Sequence, residues 1–255
     1  MPYPLRELKL PERTVNMETR IYSDVEVLSK AALGELLQAM RVAVKQRGRF
    51  AVALAGGHTP ARMYKLWADA ANHGVRTQWD RVHLFWGDER YVPQDDPMSN
   101  YAMARESLIA HVPIPTANVH PMPTDLPQAQ AAAEAYESDL RKFFGTAPPA
   151  FDLQLLGLGV EGHTASLFPG SPALEEKERW VAAVEVPAKP PQRLTLTPPV
   201  LNQGRHTLFL VSGKDKREII GALRSERGPK PSQYPAGRIR PTGQVLWLLD
   251  EAAAG

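Results

Sequence analysis

The sequence runs to 255 residues, 43% of them hydrophobic, with 30 Lys+Arg against 28 Asp+Glu and no cysteine. The missing thiols exclude disulfides, thiolate nucleophiles and thiolate metal centres. The balanced charge lacks the concentrated positive field of a nucleic-acid binder, and no run of about 18 apolar residues offers a membrane span.

The first stretch, MPYPLRELKLPERT, never builds the apolar core of a signal peptide, so a cytoplasmic location is expected. Leu33, Leu36, Leu37, Met40 and Val44 then recur at helical spacing, and Gly48 follows, which predicts a helix over 29–48 with a glycine stop. An apolar strand is expected over 50–55. Behind it come Gly56 and Gly57, with Thr59 as the cap and Pro60 as the first residue of a helix reaching Asn72. Residues 82–86 read as the next strand, after which Ser99 can cap a helix running to about Ala110. A third unit is expected near Val119. It is followed by a helix over 127–144, a buried strand over 151–156 and a glycine-rich turn over 157–162. A strand over 206–211, a helix over 214–223 and a closing strand over 245–249 complete the order. Prolines concentrate in 93–127, 187–199 and 229–241, where loops are expected. This alternation predicts one α/β domain over 1–255, with a largely parallel sheet flanked by helices on both faces.

In open parallel sheets ligands bind beyond the carboxyl ends of the strands, so the loops there carry the chemistry. The first, Gly56-Gly57-His58-Thr59, lets backbone approach a ligand closely at a helix start, which suits a phosphate. It is neither a Walker loop nor a dinucleotide turn. The second holds three consecutive charges, Asp88-Glu89-Arg90, and an arginine among carboxylates can present its fork to an anion. The third places His163 in a glycine-rich turn with Glu161 close enough to orient it, a setting for proton transfer. His73, His83, His111, His120 and His206 read instead as surface or packing residues. Two basic positions remain, Arg193 and one of the basic residues of 214–217, among which spacing does not choose. The run Arg224, Arg227, Lys230, Arg238 and Arg240 reads as solvated surface. No HExxH pair accompanies the histidines, so a catalytic metal is not expected, and Ser166 lacks a nucleophile elbow.

These segments, AGGHTP at 55–60, WGDERYVP at 86–93, SNY at 99–101, LGLGVEGHTASLFPGS at 156–171, RLTLTPPVLN at 193–202 and FLVSGKDK at 209–216, resemble the 6-phosphogluconolactonase family. The resemblance implies the α/β fold shared with glucosamine-6-phosphate deaminases and ribose-5-phosphate isomerases. It also implies hydrolysis of 6-phosphogluconolactone, a phosphorylated sugar lactone, without a cofactor. In the deaminases the second loop typically reads Asp-Glu-Tyr; Arg90 before Tyr91, with Val92-Pro93 and Ser99-Asn100, looks like the lactonase form. The chain departs from the family pattern at His58, usually serine, and at Glu161, usually aspartate. Carried over by resemblance, His163 is the general base, Arg90 orients substrate, and Asp88 and Glu161 support them. Gly56, Gly57, His58, Thr59, Arg193 and Lys216 receive the phosphate. A sugar-phosphate isomerase or deaminase, or a module that binds without turnover, is the alternative on the same scaffold.

Overall fold

The structure is a computed structural model and describes residues 17–224 and 233–255. Its main sheet has six strands, β1 (Met17–Tyr22), β2 (Phe50–Leu54), β3 (Val82–Trp86), β5 (Leu153–Leu156), β8 (His206–Val211) and β9 (Gln244–Asp250), in the order β1-β9-β8-β5-β2-β3. Every pairing in it is parallel. All five residues of β2 are buried, and because side chains alternate between faces, both faces are covered there. The expected parallel α/β architecture therefore holds.

A second, antiparallel sheet of β4 (Asp88–Arg90), β6 (Val181–Glu185) and β7 (Gln192–Leu196), ordered β4-β7-β6, was not legible as such. Prolines 190 and 191 precede β7 and prolines 198 and 199 follow it, so the stretch expected to be loop holds a strand between its proline pairs. Gly87 joins the two sheets. Its N–H donates to Leu54 O (2.9 Å) in the parallel sheet, and its carbonyl accepts from Leu196 N–H (2.8 Å) in the antiparallel one.

The helices keep the expected order with shifted ends. Helix α1 (Val25–Arg47) begins four residues early because the Asp24 side chain caps it, accepting from Val27 N–H at 2.8 Å, and Gly48 ends it in the left-handed conformation at φ 71°. Helix α2 (His58–Asn72) is a correction: its cap is Gly57, not Thr59, and Pro60 is its third residue. The Thr59 hydroxyl is engaged elsewhere, 2.7 Å from Ser212 Oγ, and caps nothing. Ser99 does cap α3 (Asn100–Ser107), accepting from Ala102 N–H at 3.1 Å. The third unit expected near Val119 reduces to one bridge between Val119 and Leu84. Helix α4 (Ala129–Phe144) follows it. After the short α5 (Pro198–Leu201), a 3-10 turn at Lys214–Lys216 leads into α6 (Arg217–Arg224), and the short α7 (Pro235–Arg238) and α8 (Glu251–Ala254) bracket β9. Arg224 and Arg240 are exposed as expected, whereas Arg238 pairs with Glu175 at 2.8 Å; Arg227 and Lys230 lie outside the described residues. His83 and His120 stack on each other beside Phe85 and Phe143, a packing role.

Two buried tyrosines finish the strands that carry the site. Tyr64 of α2 accepts from Ala55 N–H (3.0 Å) and donates to Ala55 O (2.9 Å); Tyr136 of α4 does the same at Trp86 (2.9 and 3.3 Å). Burial pushes both phenols above their usual range, so they stay neutral donors. The Tyr64→Phe variant leaves two buried backbone groups without this partner and is expected to lose about 2 kcal/mol or more of stability in urea titrations.

Candidate active site

The chain steps from β2 outward to β3 on one side and from β5 outward to β8 and β9 on the other, so the strand order reverses between β2 and β5. A crevice opens at the carboxyl ends of such a pair. Here it is a cleft of about 300 Å³, whose lining includes Gly56, Asp88, Arg90, Asn100, His163 and Lys216. A larger recess of about 590 Å³ lies at the amino ends of the strands among Asp152, Arg205, His206 and Gln244, and holds none of the expected site residues.

His163 stands on the loop after β5 because that loop folds tightly back on itself. Gly159 N–H donates to His163 O (2.9 Å) and Gly162 N–H to Gly159 O (2.9 Å), with Gly162 at φ 85°. The imidazole is 27% exposed, and its Nδ1 is buried 3.1 Å from Glu161 Oε2, an ionic contact that falls short of hydrogen-bond alignment. With Nδ1 covered, Nε2 is the ring nitrogen available to the cleft. Burial lowers the His163 pKa most; the Glu161 and Asp88 carboxylates pull it up, and the Lys216 ammonium adds to the lowering. A neutral imidazole with one free nitrogen can accept a proton at neutral pH.

Asp88 accepts from Ser166 Oγ at 2.7 Å, and Ser166 is itself buried, so its hydroxyl is committed to positioning rather than to attack. Asn100, which the sequence reading left without a role, donates from Nδ2 to Asp88 O (2.9 Å). It also fills the space a side chain at Gly56 would need: a Cβ there would come 2.0 Å from Asn100 Oδ1. The second loop's charge run is not a solvated one. Glu89 is 2% exposed and accepts from the N–H groups of Asn100, Tyr101 and Arg90, each at 2.7 Å, and from Ser99 Oγ at 3.2 Å. Burial pushes its carboxyl up to about 7 against the pull of those backbone donors, and its work is to anchor α3 to β4.

Arg90 and Arg193 face each other in the β4–β7 register. Arg90 donates to Met98 O at 2.6 Å while its Nε is buried without a partner; Arg193 donates to Pro190 O (2.8 Å) and Lys189 O (3.3 Å). Among the described residues neither guanidinium has a carboxylate within 4.0 Å, and burial together with the Arg90 charge lowers the Arg193 pKa. Two neighbouring cations whose hydrogen bonds go to carbonyls, with the Asp88 and Glu89 carboxylates acting only from a distance, make a place for an anion. Of the basic residues at 214–217, the structure selects Lys216, which lines the cleft and contacts Asp215 at 3.0 Å.

Three expected phosphate contacts are not in the lining as side chains. His58 is exposed at the start of α2, the Thr59 hydroxyl is held by Ser212, and Arg193, the cross-strand partner of Arg90, is not among the lining residues. At the first turn of α2 the N–H groups of His58 and Thr59 have no helical partner, which keeps a backbone anion site there. Among the described residues no group of three or more His, Asp or Glu could hold a metal ion, and no helix is long and apolar enough to cross a membrane.

A family profile described as glucosamine-6-phosphate isomerases/6-phosphogluconolactonase matches residues 23–247. A 6-phosphogluconolactonase of Synechocystis is 42% identical over 231 residues, covering 89% of this chain and 93% of that protein. One of Mycobacterium tuberculosis is 41% identical over 244 residues, covering 92% and 96%. Among solved structures, a 6-phosphogluconolactonase from Trypanosoma brucei superposes with a TM-score of 0.82 at 31% identity, covering 94% of this chain and 98% of that one. A monomeric glucosamine-6-phosphate deaminase, at 22% identity and a TM-score of 0.76 over 93% and 99% of the two chains, shares the fold.

Proposed function

The chain belongs to the family of glucosamine-6-phosphate isomerases and 6-phosphogluconolactonases, and within it we infer that the chain hydrolyses 6-phospho-D-glucono-1,5-lactone to 6-phospho-D-gluconate, in the oxidative pentose phosphate pathway. The observation that carries the mechanism is a half-buried imidazole with one free nitrogen in the same cleft as a guanidinium that lacks a carboxylate partner. His163 Nε2 takes a proton from water as the water oxygen attacks the lactone carbonyl. The tetrahedral intermediate then collapses, the carbonyl carbon–ring oxygen bond breaks, and the imidazolium returns the proton to the departing oxygen. The acid product releases a proton to solvent at neutral pH. Glu161 supports the imidazolium, Asp88 fixes the Ser166 end of the loop, and Arg90 orients the substrate. Arg193, Lys216 and the amides of the first turn of α2 receive the phosphate, whose charge of about −1.5 to −2 near neutrality offsets the cationic pair. A cytoplasmic location belongs to the same proposal, since the substrate is an internal phosphorylated metabolite.

The test is acid release from freshly generated 6-phosphogluconolactone with chelator present, against the spontaneous rate. Turnover far above that rate supports the reading. Turnover of glucosamine 6-phosphate or a pentose phosphate in its place would move the chain to the isomerase and deaminase side of the family. Binding of 6-phosphogluconate without any turnover would leave a sugar-phosphate-binding module. Within the enzyme, Arg193→Ala is expected to raise KM about tenfold or more and to lower kcat less, the signature of lost ground-state binding. An unchanged KM with a collapsed kcat in initial-rate measurements would remove Arg193 from the phosphate site.

A further inference from the structure

Phe168 is buried at 6% exposure, yet it stands apart from the contiguous hydrophobic core that takes up nearly every other buried apolar side chain. Its aromatic neighbour is His163: the two rings stack at 4.0 Å between centroids and 16° between planes. The loop is bent to bring them together. Ala165 takes φ 48°, a left-handed conformation for a residue with a Cβ, and Leu167 N–H closes back onto Thr164 O (3.0 Å). Thr164 Oγ1 ties the bend to Gly157 O (2.9 Å), and Ser166 Oγ ties it to Asp88 (2.7 Å). Each tie holds residue 168 under residue 163.

We propose that Phe168 is a positioning residue for the hydrolysis: its ring is the flat floor that fixes the plane of the His163 imidazole, so that Nε2 meets the attacking water at one angle. This rests on the reading of His163 as the general base. Glu161 alone cannot set that plane, because its contact with Nδ1 is poorly aligned and its side chain is 41% exposed. Stacking restricts tilt, while the carboxylate supplies charge at one edge.

The experiment compares Phe168→Leu, Phe168→Ala and Phe168→Tyr in the full-length enzyme. Leu keeps apolar volume without a flat face, and is expected to lower kcat about three- to tenfold, the rate equivalent of one aromatic pair, with KM within about twofold. Tyr restores the ring and is expected to recover kcat. Ala opens the floor to water, and the acid limb of the pH profile is expected to move up, with Glu161, Asp88 and Lys216 as the charges facing the imidazole in every variant. Histidine-labelled NMR gives a readout apart from turnover: the His163 ring protons are expected to carry an upfield ring-current shift that Leu and Ala abolish and Tyr retains. Wild-type kcat in Phe168→Leu, or an unchanged His163 resonance, overturns the proposal. Unimpaired turnover in His163→Ala would overturn the general-base reading instead.

Discussion

His163→Ala is expected to lower kcat about 10³-fold, within the range of roughly 10² to 10⁴ that a positioned acid–base group supplies, while the thermal midpoint moves little because the ring lies at the cleft rather than in the core. The pH dependence follows from the same residue. Burial lowers the His163 pKa, so the neutral, proton-accepting form persists below the ordinary histidine value of about 6.5, and kcat/KM is expected to stay level through neutrality and fall only on the acid side of that value. Glu161 raises the pKa; removing its charge in Glu161→Gln is therefore expected to move the acid limb to lower pH. Profiles corrected for spontaneous hydrolysis check both. An acid limb that ignores both substitutions would place the titrating group elsewhere.

Gly159→Ala is expected to cost about 10²-fold in kcat with little loss of stability. The backbone of Gly159 is not in the left-handed region, so alanine is conformationally acceptable there. The trouble is space: a Cβ would stand 2.0 Å from His163 Nδ1 and 2.6 Å from Glu161 Oε2, and the imidazole must swing out of its position to admit it. Steady-state kinetics beside a melting curve separate the two effects. Wild-type kcat in a well-folded Gly159→Ala would mean that the imidazole can move and still work, contrary to a fixed general base.

The strands that the sequence shows best are largely buried ones: β2 is an unbroken apolar run, and β3 and β8 are apolar but for His83 and for His206-Thr207, and the ends of all three differ from the structure by no more than a residue. The short antiparallel sheet is hard to see because three residues of β4 and five each of β6 and β7 carry little pattern, and their pairing joins segments far apart in the chain, such as Asp88 with Thr195. The edge strand β1 escaped for a different reason: three of its side chains, Glu18, Thr19 and Ile21, are exposed, so its composition is not that of a core strand. At the cleft, Asp88, Arg90 and His163 were legible because each follows a strand whose carboxyl end faces the same way, whereas Lys216 came only from the family resemblance, since spacing does not choose among the basic residues of 214–217. Asn100 and Glu89 were not, since their work is to bond backbone groups that only the folded loops bring near. His58 shows the converse, a residue in the right loop whose side chain points to no partner in the cleft.

Strand β1 pairs along its length with β9 alone, and the stretch of chain between them runs from Ser23 to Gly243. The other strands of this sheet can pair as each emerges, but β1 has no strand partner until β9 has been made, so the entropy of closing the largest loop in the sheet falls on that docking step. A nascent chain halted before Gln244 would hold every residue of the cleft described above and still present β8 as an open, apolar edge. Failure of such a chain would be a failure of assembly, with aggregation preceding any question of chemistry.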